Sequence, residues 1–295
     1  MNNFPSKIKL NGKGGGLAFA SFMALYVLLS FLGQLLAEIL FGNGTTAFIA
    51  VCSTFSTISL SLIVLIFTLF SNNDFLQAVP VKKFSPVYVL LALLLSVGMF
   101  LGLGFVNDAF ATVLGRWGLN VSGISVPLEN GFQLFLCVVL FAIFPAVSEE
   151  LFFRGLLLNT LKSTHKILAC LTVALCFAFY HCSATQFIYQ FVYGFLLSLL
   201  ALYSKSVIPC ILAHFFNNFV VIIFEYFKIN INLYSPVALL VGINLLAIVC
   251  TAFYFIYKRQ DKAVSVKGEI SSFYLPYGIL ALAVCVSLLL GNLLV

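Results

Sequence analysis

The sequence predicts an all-α fold, a polytopic transmembrane helical bundle of about eight to nine spans with its N-terminus in the cytoplasm. Three observations carry this. Only 8% of the 295 residues are charged, against roughly 25% in a soluble domain. Hydrophobic residues make up 62% and the mean hydropathy is +1.14, more apolar surface than a soluble fold can bury. Apolar runs of about 20 residues, the length that crosses a hydrocarbon core of about 30 Å, recur along the chain. The same composition excludes a disordered chain and a disulfide-dense secreted scaffold, both of which need far more polar sequence.

Nine spans are expected, near residues 17–41, 47–70, 86–107, 131–162, 167–181, 186–203, 207–228, 236–257 and 273–293. The first has too long an apolar stretch, and no small-residue cleavage site after it, to be a signal peptide. The third is expected to end at Asn107 and Asp108, which read as a helix terminus. A Gly/Asn/Ser-bearing outer loop, 108–130, then begins with an interfacial stretch from Ala109 to Trp117, because Trp favours the membrane boundary. The fourth run is too long for a simple span, and Pro145 is expected to kink it by removing a backbone hydrogen bond. The fifth is short. These runs divide into N-terminal helices (1–130), a core of four spans (131–228) and C-terminal helices (229–295).

The basic residues test the count independently. With the N-terminus inside, Lys7, Lys9, Lys13, Lys82, Lys83, Lys162, Lys166, Lys205, Lys258, Arg259, Lys262 and Lys267 fall on the inner side, and only Arg116 and Lys228 on the outer. That is a strong positive-inside bias. The net charge of +6 is spread too thinly to indicate a nucleic-acid partner. The eight cysteines form no Cys-x-x-Cys pair and lie almost all within apolar runs, so they read as small core residues.

Ionisable groups inside a span are costly and therefore informative. The richest cluster is Ser148-Glu149-Glu150-Leu-Phe-Phe-Arg154-Gly155. Glu150 and Arg154 are four apart and can pair on one helix face. Glu149 is turned by about 100° from Glu150 and is free to face a cavity. The next helix carries Phe177-Ala-Phe-Tyr-His181. Counted from the turn near Ser163–His165, Glu149 and His181 both lie about 22–26 Å along their helices, so an antiparallel hairpin brings them to one depth. In the seventh span, His214 and Asn218 project from one face. A carboxylate in low dielectric can act as a general base on water, His181 could hold the same water, and His214 with the Asn218 amide could donate to an oxyanion. Arg154 would neutralise Glu150 and fix the helix that carries Glu149.

Glu149-Glu150-x-x-x-Arg154, Phe177-x-x-x-His181 and His214-x-x-x-Asn218 resemble the three ordered motifs of the CPBP (Abi) intramembrane proteases, which include the type II CAAX prenyl endopeptidases. The resemblance covers about residues 131–225 and extends to Gly155 and Gly194. It implies a helical-bundle endopeptidase cleaving in or beside the membrane. The residues matching Glu149 and His181 activate water, those matching His214 and Asn218 stabilise the oxyanion, and those matching Glu150 and Arg154 support the site. Such proteins have been labelled metalloproteases, and zinc is the cofactor if that reading holds. A metal-free glutamate mechanism is preferred, because the chain has no His-Glu-x-x-His helix and Asn is a poor zinc ligand. The metal ligands and cofactors are accordingly expected to be none. Between the adjacent asparagines, spacing favours Asn218.

Partners expected on this reading are a peptide or membrane-protein substrate and the lipid bilayer. By analogy with the family the setting is a bacterial plasma membrane, and the substrates are CAAX-type proteins, leader peptides, or pheromone or bacteriocin precursors. The competing readings are a purely structural ion cluster, a non-catalytic membrane immunity factor or regulator of a partner membrane protein, and a transporter. No repeated half of the kind transporters show is present. Phe177, Tyr189 and Tyr193 read as packing residues, and His165 as solvated.

Overall fold

Within hydrocarbon a chain must satisfy its own backbone polar groups, and helices are the open-ended way to do so. All regular structure among the described residues is helical. The structure is a computed structural model and describes residues 9–43, 45–70, 79–119, 128–260 and 269–294. The helices are α1 (Gly12–Phe41), α2 (Thr46–Phe70), α3 (Val87–Arg116), α4 (Gly131–Thr160), α5 (Lys166–Tyr180), α6 (Phe187–Ser204), α7 (Ile208–Tyr226) and α8 (Pro236–Gln260), followed by a broken α9. In α9, Glu269–Phe273 continues through Tyr274–Gly278 into Ile279–Leu294.

Seven of these, α1–α4 and α6–α8, are long and apolar enough to cross a membrane. The other two expected spans are shorter apolar helices. At 15 residues, α5 rises about 22 Å, less than the hydrocarbon thickness. It is buried among its neighbours, and its C-terminal end stops inside the bundle at His181. α9 breaks at Leu275, whose φ of −103° and ψ of 127° are non-helical. Leu275 precedes Pro276, and the proline ring disfavours the helical region for the residue before it.

The third helix corrects the expectation of a terminus at Asn107 and Asp108. Both lie inside α3, and the Asp108 carbonyl accepts a hydrogen bond from the Thr112 hydroxyl. No proline interrupts this stretch, so each added residue closes another backbone bond. The helix ends only at Arg116, just ahead of exposed Trp117 and Gly118, whose φ is 75°. The rest of the expected outer loop includes 120–127, outside the described residues.

α3 packs against α8, α1 against α2, and α5 against α6. The α3–α8 contact is built on glycine. A Cβ added to Gly242 would overlap the backbone of Gly102, and such small residues let membrane helices approach closely. Gly242→Ala is expected to push the helices apart and cost about 1–3 kcal/mol, the range for overpacking a tight contact. A lower midpoint on denaturation in mixed micelles would register it; an unchanged midpoint would show that the contact carries no stability.

The core is aromatic where α1, α4 and α5 meet. The Phe22 ring lies 4.9 Å from Phe152 and 5.3 Å from Tyr180, centroid to centroid. All eight cysteines are free, and six are buried. Leu28, Phe31, Ile39, Leu69, Leu240 and Leu280 are exposed on the outer faces, as lipid-facing side chains are in a membrane protein.

Candidate active site

The site is assembled by α4, α5, α6 and α7, and α4 is the irregular member. Its helix widens to π geometry at Val138–Ile143 and again at Leu151–Leu157, on either side of the regular Phe144–Glu150 segment. The first bulge has a cause in the sequence. Pro145 has no N–H, so the carbonyl four residues earlier, at Phe141, loses its α-helical donor. The Asn218 amide supplies one instead, donating from Nδ2 to the Phe141 carbonyl at 3.0 Å. Asn218 therefore ties α7 to the first bulge of α4, ahead of Glu149. Pi-bulges recur at functional sites for this reason: the freed backbone recruits side chains.

Glu149, Glu150, Arg154 and His214 are all buried. Glu150 Oε1 sits between two cations or donors: Arg154 Nη1 at 2.7 Å and His214 Nδ1 at 2.8 Å. Arg154 Nη2 donates to the carbonyl of Gly194 on α6 at 3.1 Å, and its guanidinium carbon lies 4.2 Å from the Phe177 ring centroid. Gly194 permits this, because a Cβ there would stand 3.0 Å from Phe177 Cδ1 and 3.3 Å from Arg154 Nη2. Gly155 has an equivalent role on the other side, where a Cβ would stand 2.6 Å from Val79 Cγ1.

Glu149 faces a different group. Its Oε2 lies 4.0 Å from His181 Nε2 and 4.0 Å from His214 Nε2, and has no hydrogen bond among the described residues. Tyr180 Oη donates to the other oxygen, Oε1, at 3.4 Å. The ring protons follow from the partners. His181 Nδ1 stands 2.8 Å from the Phe177 carbonyl, which can only accept, so Nδ1 carries the hydrogen. The same reasoning places a hydrogen on His214 Nδ1, which faces the Glu150 carboxylate. Both imidazoles therefore turn Nε2 toward Glu149.

A gap of 4.0 Å is too wide for a direct hydrogen bond. It suits one bridging oxygen, which at about 2.8 Å from each atom would sit off the line joining them. Zinc fits less well. Glu149, His181 and His214 are suitable donor types, but ligand atoms of a tetrahedral zinc stand about 3.3 Å apart, closer than these pairs. Among the described residues no group of three His, Cys, Asp or Glu is spaced to hold a metal.

The expected residues thus fall into two layers: Glu149, His181 and His214 converge on one point, and Glu150 and Arg154 lie behind His214. Asn218 is engaged with Phe141, and Asn217 is buried and accepts from Tyr189 Oη at 2.7 Å. Sequence reading missed the part of Tyr180 and understated Phe177, which bears the Arg154 guanidinium and holds His181 through its carbonyl. An aromatic residue immediately before a buried His was the available signal for Tyr180.

Residues 131–220 match the family model described as Type II CAAX prenyl endopeptidase Rce1-like. The match supports the CPBP/CAAX-protease resemblance drawn from the motifs, and with it a protease of the CAAX type set in the membrane. No curated protein and no solved structure matches.

Proposed function

We propose that the protein is an intramembrane endopeptidase that hydrolyses a peptide bond with a water activated by Glu149. The observation that carries this is the convergence of His181 Nε2 and His214 Nε2 on the unpartnered Glu149 Oε2, each at 4.0 Å. A water in that gap gives one proton to Glu149 Oε2 and directs the other to the His181 Nε2 lone pair. Its oxygen then attacks the substrate carbonyl carbon, and the carbonyl oxygen takes the negative charge. His214, with protons on both nitrogens and Glu150 as its counter-charge, donates from Nε2 to that oxygen. Asn218 holds α7 in place through Phe141 and has a second amide N–H for the same oxygen. On collapse the C–N bond breaks, and Glu149 passes its proton to the departing amine.

With His214 protonated, the two carboxylates are balanced by Arg154 and His214, so the buried cluster is neutral overall. With both rings neutral, three lone pairs converge instead, which favours a cation. This is the specific ground for a second, zinc-dependent reading, in which Glu149, His181 and His214 would hold the metal and it would supply a polarised water. The wide spacing favours the first reading. A chelator separates them: cleavage by purified protein is expected to persist after dialysis against one, whereas loss of cleavage restored by zinc would support the metal instead.

Substrates of the class proposed are CAAX-type proteins and the leader peptides, pheromone precursors or bacteriocin precursors of a bacterial plasma membrane. Comparing membrane peptides of cells carrying wild type and Glu149→Gln should reveal fragments that depend on Glu149. Identical peptide sets, together with a cellular phenotype that survives the substitution, would favour the non-catalytic immunity or regulatory reading.

A further inference from the structure

At the end of the bundle away from His181, the stretch at Pro80 and Lys82, the α4–α5 turn and the α6–α7 turn enclose a cavity of about 270 Å³. Its wall carries Lys82, Lys162, Lys166 and Lys205, with Thr164 and Ser206 between them, and no carboxylate among the described residues. Lys82, Lys162 and Lys205 form no ion pair among the described residues, and the positive-inside bias puts this face in the cytoplasm.

We propose that this cavity binds a phosphate group at the inner membrane face. Several lysines with hydroxyls among them suit an oxyanion with many acceptor oxygens, and a cavity at the headgroup level of the cytoplasmic leaflet meets anionic phospholipid first. The site is separate from the proposed hydrolytic centre and does not depend on what that centre does.

The test is binding to the full-length protein in nanodiscs or detergent, by native mass spectrometry and thermal shift. Three arms are compared: phosphatidylglycerol, phosphatidylcholine and inorganic phosphate. The anionic lipid is expected to be retained and to raise the melting temperature; phosphatidylcholine is not. If inorganic phosphate competes at millimolar concentration the site takes the free ion as well; if it does not, the headgroup is the ligand. Neutralising the cavity with Lys82→Gln/Lys162→Gln/Lys205→Gln is expected to weaken binding about a hundredfold, from the contribution of each basic residue near an anionic surface. The control Lys13→Gln/Lys83→Gln/Lys258→Gln removes equal charge from the same face outside the cavity and should change binding little. Equal losses in the two triple variants, or no retention of anionic lipid over phosphatidylcholine, would overturn the proposal.

Discussion

Glu149→Gln is expected to abolish peptide cleavage while leaving the fold intact. The substitution keeps the shape of the side chain and an oxygen for Tyr180 Oη, 3.4 Å away in the wild type. It replaces the one carboxylate oxygen that both imidazoles approach with a group that cannot take a proton from water. General-base catalysis contributes typically about 10²–10⁴-fold, so turnover should fall by at least that much. Stability should change little, because Glu149 Oε2 makes no hydrogen bond among the described residues and its approaches to the two imidazoles are long, at 4.0 Å. The pairing of measurements matters: single-turnover cleavage with thermal denaturation of the same preparation. Loss of both would indicate a structural carboxylate, and full cleavage would sink the hydrolytic assignment. His181→Ala should follow Glu149→Gln in activity. Asn218→Ala should also lose stability, since the Phe141 carbonyl is left without the donor it takes from α7.

The helices and the meeting of the motifs were legible because both rest on one-dimensional rules. A run of apolar residues fixes a span, and residue counts from a turn fix depth, so Glu149 and His181 fall together on spacing alone. What the sequence hid depends on where backbone is left unsatisfied or unusually close. Pro145 announced a kink, but not that Asn218, 77 positions beyond Phe141, would serve the Phe141 carbonyl it frees. The carbonyl of Gly194, which receives Arg154, is likewise invisible, because a glycine in a helix gives no sign of what packs on it. The end of α3 was misplaced for a related reason: Asn107 and Asp108 are polar enough to suggest a cap, yet a helix leaving the hydrocarbon has no need to stop. The basic cavity was visible only in pieces. Lys82, Lys162, Lys166 and Lys205 marked one side of a membrane, and the fold gathered them around one opening.

Arg154→Met is expected to be among the most destabilising single substitutions in the chain, at about 3–5 kcal/mol, the cost of leaving one member of a buried ion pair alone. Glu150 has no exposure, and its Oε2 has no partner, so with Arg154 gone its charge rests on His214 Nδ1 alone. The cation–π contact with Phe177 and the bond to Gly194 are lost together. Lysine should not rescue the site, because a single ammonium cannot reach Glu150 and Gly194 at once while lying flat on Phe177. The double variant Glu150→Gln/Arg154→Met distinguishes an electrostatic cause from simple loss of packing. Removing both charges is often close to neutral where removing one is not, so the double variant should be more stable than Arg154→Met alone. A coupling of about 0.5–3 kcal/mol between the two positions is expected from residues in direct contact. Additive losses would mean that Arg154 stabilises the fold through its aliphatic and aromatic contacts. Activity should be lost in the double variant even where stability returns, since His214 Nδ1 then faces a neutral amide in place of the Glu150 carboxylate.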